Sequence, residues 1–116
     1  YLKKTYLAEF SGLCSTEFHV LQASPEMHAG FLFHWLRSKA IVGIGKRLMT
    51  GATHPRLQTR NIENFLVPVP PLDVQKSIYF EIESHRDKAI ATREEASKQL
   101  EQAKAEVEEL ILKNEL

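Results

Sequence analysis

The run Val67-Pro68-Val69-Pro70-Pro71-Leu72 is the feature that most narrows what this chain can fold into. Prolines fix φ and remove backbone donors, so neither a helix interior nor a central strand can pass through three of them in four positions. The run reads as a stiff, extended connector. Beyond it neither proline nor glycine occurs again through Leu116, and Asp73 stands where a carboxylate can cap a helix. The expectation is a single helix of somewhat over 40 residues, roughly 65 Å at about 1.5 Å per residue. The chain thus divides into a small globular part, 1–70, and a helix, 71–116.

That helix carries a heptad-like register. Ile82, Ala89, Ala96, Ala103 and Leu110 recur every seven residues, with Tyr79, Arg86, Arg93, Leu100, Val107 and Asn114 interleaved at alternating spacings of three and four. An apolar stripe of this kind needs covering, so the reading is a coiled coil paired through Ile82, Ala89, Ala96, Leu100, Ala103, Val107 and Leu110. The alanines allow close approach, whereas Arg86 and Arg93 weaken the middle and set register. The bland alternative is a solvated single helix held by i,i+4 pairs such as Glu94 with Lys98.

Upstream the pattern reads as mixed, giving an α+β fold class for the whole. Thr16-Glu17-Phe18-His19-Val20-Leu21 is β-branched and aromatic with partial alternation, so a strand is expected there. Ser24 as cap and Pro25 at the first position predict a short buried helix ending near Ser38. A second short helix or an irregular segment covers Ala40 to Arg47. Thr50-Gly51-Ala52-Thr53-His54-Pro55 then breaks regular structure, and the segment from Asn61 supplies a turn or short helix followed by a last strand up to Val69.

The overall charge balance, 15 Lys+Arg against 15 Asp+Glu, hides a division. Up to Leu72 eight bases face four acids; from Asp73 onward seven bases face eleven acids. Six Lys/Arg lie between Glu26 and Glu63 with no acid among them, and such a stretch attracts polyanions.

Other classes find less support. A chain of 116 residues is one domain at most, and no uncharged apolar stretch is long enough to cross a membrane. The start at Tyr1 lacks the apolar core of a secretory signal and suggests a piece of something longer, while the lone Cys14 permits no internal disulfide, so a cytoplasmic location is expected. His19, His28, His34, His54 and His85 show no zinc-ligand spacing. A thiolate pair of Cys14 with His19 is an enzyme reading with no defined geometry. Gly43-x-Gly45-Lys46-Arg47 matches neither nucleotide-loop pattern, although its glycines let backbone N–H groups approach a phosphate. No cofactor site is expected.

The stretch from Gly45 to Asn61 has the make-up of a nucleic-acid-binding loop. Cations neutralise phosphates, and Arg, Gln and Thr present donors and acceptors to base edges. Lys46, Arg47, Arg56 and Arg60 are the candidate phosphate or base contacts, with Thr53, His54 and Gln58 among the further DNA-binding candidates. The alternative is a solvated basic loop whose arginines pair with acids nearby.

Four segments also carry a resemblance: Ser15 to Leu21; Phe33-His34-Trp35-Leu36-Arg37-Ser38; Gly51-Ala52-Thr53-His54-Pro55-Arg56-Leu57; and Val67 to Ile78 with its Pro-x-Pro-Pro-Leu-x-x-Gln-x-x-Ile pattern. In order and spacing they resemble the second part of a target-recognition domain in specificity subunits of type I restriction-modification systems. The resemblance implies a non-catalytic module that reads one half of a split site in double-stranded DNA. It implies that the following helix packs antiparallel against a counterpart as a spacer, whether from a second copy or a second half. Partner subunits, the methyltransferase directly and the restriction subunit indirectly, would bring the chemistry, with S-adenosylmethionine and ATP. This chain departs from the pattern in having one unit that lacks its usual N-terminal portion. The competing class is an assembly module whose helix pairs while its loop never meets DNA.

Overall fold

The computed structural model describes residues 4–53 and 56–115, in which four helices follow one another: α1 (Ala29–Leu36), α2 (Lys39–Leu48), α3 (Thr59–Glu63) and α4 (Leu72–Glu115). Two compact units divide the chain, Tyr1–Tyr79 and Phe80–Leu116, so α4 begins in the first and makes up the second.

The α+β expectation is corrected, because among the described residues there is no sheet. The only β pairing is an isolated antiparallel bridge between Thr50 and Arg56. Thr16 to Leu21 is exposed and makes no ladder, since no second strand lies alongside it; its backbone bonds locally, Phe18 N–H to the Ser15 carbonyl and Glu17 N–H to the Ser15 hydroxyl. Phe65 to Val69 is likewise unladdered, running directly into prolines that have no N–H to give.

The first unit is built around one buried polar side chain. Gln75, on the first turn of α4, is 0% exposed. Its Oε1 accepts from the His28 backbone N–H at 2.8 Å, and its Nε2 donates to the carbonyls of Glu26 at 2.9 Å and Pro70 at 2.7 Å. One amide therefore satisfies two chain segments that precede helices, where backbone groups lack intrahelical partners. The Pro71 carbonyl accepts from Gln75 N–H at 3.0 Å, opening α4 two residues earlier than a cap at Asp73 would and leaving Asp73 inside the first turn.

This bond explains where α1 starts. Ser24 and Pro25 do not open the helix; Met27 N–H closes a turn on the Ser24 carbonyl, and the cap is His28, whose Nδ1 accepts from Phe31 N–H at 3.2 Å. The His28 ring then packs, tilted by 50° and 4.9 Å away, against Tyr79, one helical turn beyond Gln75, and His34 approaches the same ring at 5.8 Å. Gly30 sits beneath Tyr79, and an added Cβ would lie 2.9 Å from Cζ and closer still to two other ring carbons. Ser38 ends this stretch by capping α2, its hydroxyl accepting from Ile41 N–H. Phe31 and Ile41 are buried where α1 meets α2, and Trp35 Nε1 donates to the Leu66 carbonyl at 3.0 Å, pinning the start of the connector.

The second unit has no core. Of residues 80–114 only Glu83 is partly covered. Its helix is sustained by its own backbone and by side-chain pairs one turn apart: Arg86 with Glu83 at 3.6 Å, Lys104 with Glu101 at 2.8 Å, Lys113 with Glu109, and Gln99 with Glu95. Among the described residues no helix is long and apolar enough to cross a membrane.

Candidate nucleic-acid interface

The basic residues flank one closed loop. Lys46 and Arg47 form the last turn of α2, and Met49 N–H closes that turn on the Gly45 carbonyl. The chain then reverses through Gly51, whose φ of 102° is a conformation that side-chain-bearing residues rarely adopt. It returns at Arg56, where two backbone bonds, Thr50 N–H to Arg56 carbonyl at 2.9 Å and Arg56 N–H to Thr50 carbonyl at 2.7 Å, lock the base of the loop. Gln58 stands at the cap position of α3 but caps nothing; its Nε2 points to the Thr50 hydroxyl at 3.4 Å. Arg60 lies in the first turn of α3.

Gly45 brings the two flanks together. It is buried, and a Cβ there would stand 3.9 Å from both Leu57 and Phe65, so the end of α2 lies against the chain that leaves the loop. Lys46 and Arg47 thereby come to the end of the unit that holds Arg56 to Arg60. Lys46, Arg47, Thr53, Arg56, Gln58 and Arg60 are all exposed, and His54 lies outside the described residues.

Two residues that sequence reasoning assigned to a strand turn out to brace this loop. Glu17 forms an ion pair with Arg56 at 3.0 Å, both side chains about 60% exposed. His19 reaches the Leu57 carbonyl through Nε2 at 3.0 Å and the Thr59 hydroxyl through Nδ1 at 3.3 Å. Glu17 lies in the turn that Phe18 N–H closes on the Ser15 carbonyl and His19 follows it, so both reach the loop, while Phe18 and Val20 are 55% and 79% exposed. His19 is thus committed to the loop, and no contact joins it to the exposed Cys14. Among the described residues no cluster of His, Cys, Asp or Glu could hold a metal.

The pairing positions Ile82, Ala89, Ala96, Leu100, Ala103, Val107 and Leu110 are all exposed along α4, Leu100, Val107 and Leu110 by 54 to 59%. Tyr79, the first position of the interleaved register, is instead spent on packing against Gly30 and His28. The Glu94–Lys98 pair does not form.

Residues 4–102 match the family model described as "Type I restriction modification DNA specificity domain". The chain belongs to this family. The matched stretch takes in the braced loop, the proline connector and most of α4. A curated relative, the type I restriction enzyme EcoDI specificity subunit of Escherichia coli, is 26% identical over 83 residues, which are 72% of this chain and 18% of that subunit. The chain therefore spans less than a fifth of the length of that relative. No solved structure matches it significantly. The resemblance read from the four segments agrees with the family match.

Proposed function

We propose that the first unit grips double-stranded DNA with Lys46, Arg47, Arg56 and Arg60 and reads one half of a bipartite target, while α4 pairs with a counterpart helix and sets the distance to the other half. In this reading 1–70 is a partial target-recognition domain, 71–116 is the spacer, and the assembly docks a methyltransferase subunit and, through it, a restriction subunit. Thr53 within the loop and Gln58 beside its locked base are the polar side chains offered to base edges.

The observation that carries the proposal is the gathering of four exposed cations around one closed loop, in a stretch with no acid between Glu26 and Glu63. Lys46, Arg47 and Arg60 have no carboxylate partner among the described residues. A bound phosphate would meet them without first breaking an ion pair.

Anisotropy of a labelled duplex, titrated with the chain at rising salt, tests it. Each neutralised phosphate contributes about 0.9 to the slope of log affinity against log salt, so four contacts weaken binding about a hundredfold between roughly 50 and 200 mM. The triple variant Lys46→Ala, Arg47→Ala, Arg60→Ala should lower that slope by between two and three. Salt-independent binding, or an unchanged slope in the triple variant, would show that the loop is not the contact surface.

A further inference from the structure

The four cations are not alike. Three end in free, exposed side chains, whereas Arg56 is held at both ends: its backbone by the paired bonds to Thr50, and its guanidinium by Glu17 at 3.0 Å. Glu17 is itself braced, since its own N–H donates to the Ser15 hydroxyl at 3.0 Å and its neighbour His19 grips Leu57 and Thr59 on the far side of Arg56. A guanidinium carries five N–H donors in a rigid fork. The contact with Glu17 is made by Nη2, so most of the fork stays available on a side chain that is 63% exposed.

Resting on the DNA-binding reading above, we propose that Arg56 is the base-reading residue of the loop, specific for a guanine in the major groove, and that Glu17 is its positioning residue. Guanine presents two acceptors, N7 and O6, whose spacing fits the arginine fork, and this match identifies the base. A fixed direction is what a base contact needs and a phosphate contact does not: phosphates line the whole duplex and accept from any approach, while one base edge offers a single geometry. Holding the side chain beforehand reduces the rotamer freedom lost on binding. Lys46, Arg47 and Arg60, which nothing holds, are the phosphate contacts. A carboxylate so near a binding surface would otherwise only repel the duplex, and its ion pair, exposed as it is, contributes little to folding.

The test is binding-site selection from duplexes with a randomised centre of about two helical turns, run on the intact chain and on Arg56→Lys, Glu17→Gln and Glu17→Asp, each followed by a salt titration on a fixed duplex. The wild-type chain enriches a motif containing an invariant guanine. Arg56→Lys keeps the charge but loses the fork, and it lowers the preference at that position at least about fivefold, the low end for a bidentate contact. Glu17→Gln does the same with the other positions and the salt slope nearly unchanged, while Glu17→Asp, which retains the carboxylate, keeps the preference. If Glu17→Gln binds every duplex more tightly with the guanine intact, Glu17 is a mask and the proposal is overturned. Steep salt dependence without an enriched guanine overturns it too and leaves the phosphate-gripping reading standing; absence of duplex binding overturns both.

Discussion

The two units of this chain satisfy the same requirement in opposite ways. In the first, backbone groups that lie outside regular structure are paired over long sequence distances, by Gln75 to residues 26 and 28, by Trp35 to Leu66 and by His19 to Leu57. In the second, the backbone short of the last turn is paired locally within α4, yet the apolar side chains at Leu100, Val107 and Leu110 remain in water. A helix satisfies its backbone by itself and its apolar face only with company. The lesson is that the first unit is fragile at single polar points and the second is tolerant everywhere except along its seam.

The sharpest way to break the comparison is Gln75→Leu. The substitution leaves His28 N–H and the carbonyls of Glu26 and Pro70 without partners in a buried place. Each such group costs about 1–3 kcal/mol, and partial hydration on relaxation brings the sum to about 3–5 kcal/mol. Urea unfolding followed by Trp35 fluorescence reads this out, because Trp35 belongs to the same unit. A loss below about 1 kcal/mol would mean that the amide is incidental and that Phe31 and Ile41 hold the unit alone.

Gly30→Ala is expected to cost less, about 1–3 kcal/mol, the usual range for forcing an extra carbon into a filled space. Its sign is informative. Alanine is better than glycine in a helix by about 1 kcal/mol, so without the Tyr79 ring the same change would stabilise α1. In a Tyr79→Ala background Gly30→Ala should therefore become neutral or favourable, and a double-mutant cycle measures the difference. Additive costs in the two backgrounds would sink the close approach of α1 to α4.

How much of this was legible follows from the range of the forces involved. The connector and α4 could be read because proline geometry and the absence of helix breakers act within a few residues. Over Ala40 to Arg47 helix and irregular segment stayed open, and Ser38, read only as the end of the preceding helix, is the cap of α2. The start of α1 could not be read, because the side chain that fixes it, Gln75, lies 47 residues beyond His28. The strand expected at Thr16 to Leu21 fails for the same reason: a strand needs a neighbour, and without one the segment turns on Ser15 while Glu17 and His19 bond to a loop. The basic composition of the loop stood in the residues from Lys46 to Arg60, whereas the pairing of Arg56 with Glu17 joins positions 39 apart and needed the fold.

The smallest effect on the chain's own stability is expected from Val107→Ala, and it separates the two kinds of satisfaction most cleanly. Val107 is 54% exposed, so little buried surface is lost within the chain, and alanine improves helix propensity by up to about 0.5 kcal/mol. Helix content by circular dichroism at low concentration should stay constant or rise slightly. If α4 pairs along its seam, the same change removes two methyl groups from the contact at each copy, and self-association by sedimentation should weaken about tenfold, equivalent to about 1.4 kcal/mol. A variant more helical yet less associated is the signature of a face whose role is intermolecular. Equal association in wild type and variant would instead make α4 a solvated helix sustained by pairs such as Glu101 with Lys104, each worth only tenths of a kcal/mol.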